Sequence, residues 1–250
     1  MSGLPSPNSC PSPPPHFGEG ENKVEPLESA GSFSFHCHPG VSCFTECCRE
    51  LELALSPYDV ARLQGALGQG SQEFLEEYAV IEFGADDLYP KVYLAMVDDG
   101  RASCPFVTPS GCRVYEDRPA ACRTYPLGRG ASLDPLGQVR EQFVLIREPH
   151  CQGFAEERTQ TAQAWQEEQG LGDYHRGNDL LLSLLLNSPQ GGARRRLSDG
   201  EAALYLDTLY GLDRFRLLPG VLASPVVADD LPALITLAVT WLQEQWRSAP

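Results

Sequence analysis

The sequence predicts a helix-rich α+β protein: a cysteine-cluster core holding a small β-hairpin or sheet, followed by a C-terminal helical extension. Three observations carry this. Eight of the nine cysteines lie between Cys37 and Cys151, and none follows. Short apolar runs broken by turn residues fill the same stretch, whereas the last hundred residues show helical periodicity. The expected organisation is a disordered Pro/Ser-rich N-terminus over 1–30, a cysteine-cluster domain over 31–153 and a helical extension over 154–250 packed on it. Cys10, in the first segment, is assigned to no site.

The elements follow in order. "LSPYDVARLQGALG" reads as a helix with Ser56 as N-cap, Pro57 in the first turn, Asp59 three residues after the cap and Gly68 as the stop. "SQEFLEEYAV" gives a second helix starting at Ser71. "KVYLAMV" and "ASCPFV" flank "DDGR", a strand–turn–strand pattern with Asp99-Gly100 at the turn and Cys104 on the second strand. "GCRVYEDRPAACRTYP" predicts a brief strand at Val114 and a helical turn capped by Asp117, with Cys122 inside it. "QVREQFVLIRE" is a strand that leads to Cys151. Beyond it, "EERTQTAQAWQEEQG" and "NDLLLSLLLNS" are helical, Ser198 and Glu201 make a capping box for "GEAALYLDTLYGL", and "DDLPALITLAVTWLQEQW" is a last amphipathic helix. Trp165 is expected to anchor its helix to the core, and Tyr115 and Tyr125 to pack inside it. Arg194, Arg195 and Arg196 read as a solvated linker.

Composition excludes several classes of function. A net charge of −15, with acidic residues in excess in all three regions, argues against nucleic acid or an anionic membrane as partner. The longest apolar runs fall short of the roughly 20 residues that cross a bilayer. With no basic start followed by an apolar run, the chain is expected to stay in the cytoplasm, where disulfides are rare. A protein partner is envisaged only for the C-terminal helices.

The thiols therefore read as metal ligands rather than cross-links. Their spacing is C-x5-C-x3-CC, then C-x7-C-x9-C after a long gap, then Cys151. Soft thiolates favour zinc, copper(I) or iron–sulfur centres, and the number present allows two four-cysteine zinc sites, one cluster or two. Neither the paired C-x2-C of zinc ribbons nor the C-x2-C-x2-C run of bacterial ferredoxins is present, so spacing leaves the metal open. At least four of the sulfurs are expected to converge on one centre. His36 and His38 flank Cys37, and His150 precedes Cys151, as further candidates for a mixed site. Arg49, Arg118 and Arg123 stand beside cysteines, either as donors to sulfur or as partners of carboxylates.

"CFTECCRELELALSPYDVARL", "CPF" and "GCRVYEDRPAACRTYP" together resemble the cysteine-cluster proteins of the YkgJ type, whose domain is named for chelation of zinc or iron; the likeness spans about residues 33–153. The resemblance implies Cys37, Cys43, Cys47, Cys48, Cys104, Cys112 and Cys122 as metal ligands, and Cys151 through its similarity to longer members. The implied function is metal binding by seven or eight thiolates, with zinc or an iron–sulfur centre in a structural or redox role. Related motifs in flagellin lysine methylases imply an alternative, iron–sulfur-dependent protein methyl transfer, for which no glycine-rich cofactor loop speaks in this sequence.

Overall fold

The structure is a computed structural model that describes residues 22–28, 31–186, 195–222 and 230–248. It is an α+β fold built on small antiparallel sheets and a helical C-terminal part. In chain order the elements are β1 (Lys23–Leu27), β2 (Ser32–Ser34), α1 (Pro57–Leu67), α2 (Ser71–Tyr78), β3 (Ala79–Glu82), β4 (Lys91–Leu94), β5 (Val107–Thr108), β6 (Gly111–Cys112), α3 (Ala120–Thr124), β7 (Leu127–Leu133), β8 (Val139–Arg147) and β9 (Thr159–Thr161). The helices α4 (Ala162–Glu168), α5 (Gly172–Leu180), α6 (Leu182–Leu186), α7 (Asp199–Leu209), α8 (Leu212–Phe215), α9 (Pro219–Leu222) and α10 (Leu231–Ser248) complete it.

Two hydrophobic cores organise these elements. The larger gathers Tyr58, Val60 and Leu63 of α1, Phe74, Phe106 and Val114 with Leu209 of α7 and Leu234, Ile235, Leu242 and Trp246 of α10. The apolar face of α10 is thus used inside the protein, because residues three and four apart share one side of a helix. The smaller core holds Phe33, Phe35, Leu127, Phe143, Leu145 and Trp165, with the Phe35 and Trp165 rings edge to face at 5.6 Å. Trp165 also donates Nε1–H to Thr124 O at 3.0 Å, which anchors α4 as expected. No helix among the described residues is long and apolar enough to cross a membrane.

The locally coded features match the structure. Ser56 and Asp59 form a reciprocal capping box, Gly68 closes α1 at φ 67°, and Ser198 with Glu201 repeats the box at α7. The differences arise where long-range pairing overrides local pattern. Lys23–Leu27, expected to be disordered, is a strand, because β8 offers it an antiparallel edge from Phe143 to Arg147; residues 1–21 and 29–30 of that segment lie outside the described residues. β4 pairs with β3, which follows α2 directly, so the predicted second strand after Asp99-Gly100 shrinks to a bridge between Val97 and Ser103. The strand expected at Val114 lies instead at Gly111–Cys112, and residues 159–161, expected to be helical, pair with β2. Tyr115 is 54% exposed rather than packed in a core, and the Arg118 guanidinium lies 3.8 Å from its ring. Arg195 pairs with Glu201 at 2.6 Å and Arg196 caps the Phe83 ring, so both are docked on the protein; Arg194 lies outside the described residues.

Arg129 of β7 ties the two cores together through a two-pronged contact with Asp179 of α5, both N–O distances being 2.8 Å. One turn earlier on α5, burial and then the Arg129 charge hold the His175 pKa down to about 4 from its usual 6.5. Since the folded value lies below the unfolded one, the contribution is full above pH 6.5 and is lost as pH falls towards 4. His175→Gln is expected to flatten the acid limb of the thermal-melt profile relative to wild type, by about 2 kcal/mol once partial solvent contact is allowed for. Superimposable melts for the two proteins from pH 7 to 4 would remove this assignment.

Candidate metal centre

All eight described cysteines are free thiols. Cys37 lies just beyond β2, where the His36 N–H donates to Gly153 O at 3.0 Å. Cys43 is buried, and its sulfur accepts the Gln152 N–H at 3.1 Å. Cys47 and Cys48 occupy a 3-10 turn over Glu46–Cys48, preceded by Thr45 at φ 72°. That tight turn replaces the α-helix that would have put Cys43 and Cys47 on one face. The Cys48 carbonyl accepts the Cys104 N–H at 2.8 Å, which docks the Cys104 loop on the cysteine pair. Cys104 is thus held by a loop contact rather than by the predicted strand, and the Phe106 N–H points to its sulfur at 3.5 Å. Cys112 ends β6 and Cys122 lies in α3. The expected cap of that turn is different: Pro119 is the N-cap residue, and buried Asp59 of α1 reaches over to accept the Ala120 N–H at 2.7 Å. Cys151 follows β8 and packs against the smaller core, whereas Cys104 and Cys112 pack against the larger one.

The thiols divide into two groups by their mutual influence. Burial, then Cys47, Cys43 and Cys151, push the Cys37 thiol up to about 12. Burial, then Cys104, Cys47 and Cys112, push Cys122 up as well. Cys151 is raised by burial with Cys43 and Cys47 acting in the same sense, and Cys104 by burial with Cys112 and Cys47. Cys47 appears in every set, and its own thiol is raised chiefly by its side-chain hydrogen bond with Cys48. One group is therefore Cys37, Cys43 and Cys151, the other Cys104, Cys112 and Cys122, with Cys47–Cys48 at the seam. Thiols with such pKa values stay protonated at neutral pH until a cation displaces the protons.

The sulfurs do not converge as tightly as the spacing suggested. Among the described residues, the His, Cys, Asp or Glu ligand atoms lying within 4.8 Å of one another are those of His36, His38 and Glu156. No three of the described sulfurs lie within 4.8 Å of one another, so the expected convergence of four on one centre is not seen.

Polar neighbours of the thiols fit a soft cation. Backbone N–H groups already face Cys43 and Cys104, and the Arg118 and Arg113 charges favour the thiolate of Cys112. Tyr125, read from sequence as core packing, has a buried hydroxyl with no satisfied hydrogen bond. Its neighbour is Cys151, whose thiolate it favours, while burial and then Cys151 push its own pKa up. The other arginines are structural: Arg49 pairs with Glu46 and Ser103, and Arg123 donates to the carbonyls of Glu116, Arg118 and Gln169. His150 Nε2 stands 3.6 Å from Glu148 and makes no hydrogen bond.

Residues 36–152 match the family model CxxCxxCC, described as "Putative zinc- or iron-chelating domain". Over that stretch the chain is similar to this domain. In this chain the first motif reads C-x5-C-x3-CC, and the Val41 and Phe44 N–H groups turn it by donating to His38 O and Val41 O. The matched stretch runs from His36 to Gln152, so it takes in all eight thiols. No curated protein and no solved structure matches the chain, and nothing in these comparisons supports the methylase alternative.

Proposed function

We propose that Cys37, Cys43, Cys47, Cys48, Cys104, Cys112, Cys122 and Cys151 hold zinc or an iron–sulfur centre in two adjoining four-thiolate sets, in a structural or redox role. The observation that carries this reading is the gathering of eight cysteines in the stretch similar to the chelating domain, with the Cys47 charge acting on thiols of both groups. With Cys48 beside it, the seam supplies one sulfur to each group, giving the four ligands that closed zinc sites and iron–sulfur centres use. The residues around the sulfurs donate hydrogen bonds or positive charge, as thiolates require. When bound, zinc would supply rigidity and an iron–sulfur centre one-electron transfer.

The decisive experiment is anaerobic purification without a metal-binding tag, followed by elemental analysis and a visible spectrum of the same sample. Stoichiometric zinc without colour assigns a structural clamp. Iron with acid-labile sulfide and broad visible absorption assigns a redox centre. A chain that retains neither metal through gel filtration overturns the reading. Tyr125→Phe removes a buried hydroxyl beside the proposed ligand Cys151, and it is expected to weaken metal retention about tenfold in a chelator competition. Retention equal to wild type would return Tyr125 to packing alone.

A further inference from the structure

We propose that His36, His38 and Glu156 form a second metal site, open to solvent and free of sulfur, for a divalent first-row transition ion. It stands independently of the thiol reading. The sequence "HCH" alternates, and beyond β2 the chain stays hydrogen-bonded to the 153–158 segment that precedes β9: the Phe35 N–H donates to Arg158 O at 2.9 Å and the His36 N–H to Gly153 O at 3.0 Å. In extended backbone, neighbouring side chains point to opposite faces, so His36 and His38 share one face while Cys37 turns to the thiols. Their rings confirm it, with centroids 4.8 Å apart. Glu156, just past the 3-10 turn at Gly153–Ala155, closes the third side: its Oε2 lies 3.3 Å from His38 Nε2.

The surroundings keep this face clear. A Cβ on Gly153 would meet Phe35 Cε2 at 2.7 Å and His36 O at 3.2 Å, forcing apart the two segments that oppose His36 and Glu156. A Cβ on Gly40 would meet His38 Cε1 at 2.9 Å and displace the ring. The Gly40 N–H donates to His38 Nδ1 at 3.1 Å, so an ion on Nε2 moves the ring proton to Nδ1 and turns that exposed amide to water. The side chains of His38 and Glu156 are 36% and 39% exposed, accessible to an ion arriving with its waters.

Two imidazoles and a carboxylate are borderline donors that suit zinc, iron(II), cobalt(II) or nickel(II) better than magnesium or calcium. Three protein ligands leave coordination positions for water or an exchanging ligand, unlike a closed four-thiolate set. The test uses the full chain, purified with whatever metal its thiols hold, in anaerobic equilibrium dialysis against cobalt(II) with visible and near-ultraviolet spectra. Expected is one further cobalt per chain with weak visible absorption and no sulfur-to-cobalt charge transfer. Glu156→Gln alone, and His38→Ala with Glu156→Gln, should lose that cobalt while circular dichroism and resident metal content stay at wild-type values. No additional cobalt in wild type, unchanged uptake in both variants, or charge transfer accompanying every bound cobalt would overturn the proposal. Charge-transfer intensity reports on the thiols separately, so failure of the thiolate reading leaves this outcome readable.

Discussion

Cys47→Ala is expected to disturb both thiol groups at once, where Cys37→Ala or Cys112→Ala disturbs one. The reason is position. The Cys47 sulfur acts on Cys37 and Cys151 on one side and on Cys104, Cys112 and Cys122 on the other. Substitutions around metal ligands commonly weaken binding by about 10- to 100-fold, and loss of Cys47, a ligand of one set that also hydrogen-bonds the Cys48 ligand of the other, should exceed about 100-fold. Structural zinc can contribute on the order of 10 kcal/mol to folding a small domain, so the melting transition should fall along with the metal content. The comparison is metal per chain and thermal midpoint for the three alanine variants purified side by side. If Cys47→Ala retains as much metal as Cys37→Ala, the seam arrangement is wrong.

Asp59→Ala should be the most destabilising polar substitution outside the cysteines. Asp59 is 3% exposed, yet both its oxygens are in use: Oδ1 accepts the Ala120 N–H, and Oδ2 accepts the Ser56 N–H and hydroxyl at 2.9 and 2.8 Å. Burial raises its pKa, opposed by those donors and by Arg123. Truncation breaks the capping box of α1 and leaves the Ala120 amide unpaired in the interior. Together with the vacated volume this should cost about 3–4 kcal/mol. Because Ala120 begins the helix that carries Cys122, the variant should also lose metal from the second group before the first. Denaturant midpoints and thiol-alkylation mapping check the two halves; a midpoint within error of wild type would leave Asp59 as an ordinary helix cap.

Those two residues mark how far the sequence could be read. Ser56–Asp59 and Ser198–Glu201 were legible as caps because the partners are three residues apart, and Gly68 and the Asp99-Gly100 turn likewise carry their conformation locally. The second duty of Asp59, 61 residues away at Ala120, left no local mark. The same holds for Lys23–Leu27, whose strand exists only because β8 pairs with it, and for Cys104, which is placed by the Cys48 carbonyl. The cysteines announced their chemistry through number and clustering, but their division into groups depends on which core each loop packs against. Glu156 carried no signal at all, and His36 and His38 read only as candidates for a mixed site with the thiols.

The location of the thiols at the meeting of the two cores has a consequence for the order of folding. Cys37 and Cys151 stand at opposite ends of the cysteine region, and joining them encloses the whole intervening chain. Closing a long loop costs conformational entropy that grows slowly with its length, and the smaller core already bears that cost, because β2 pairs with β9 and Phe33 packs on Trp165 outside both cysteines. Hydrophobic packing thus brings the two ends of the cysteine region together by itself, and a cation would seal a register already drafted.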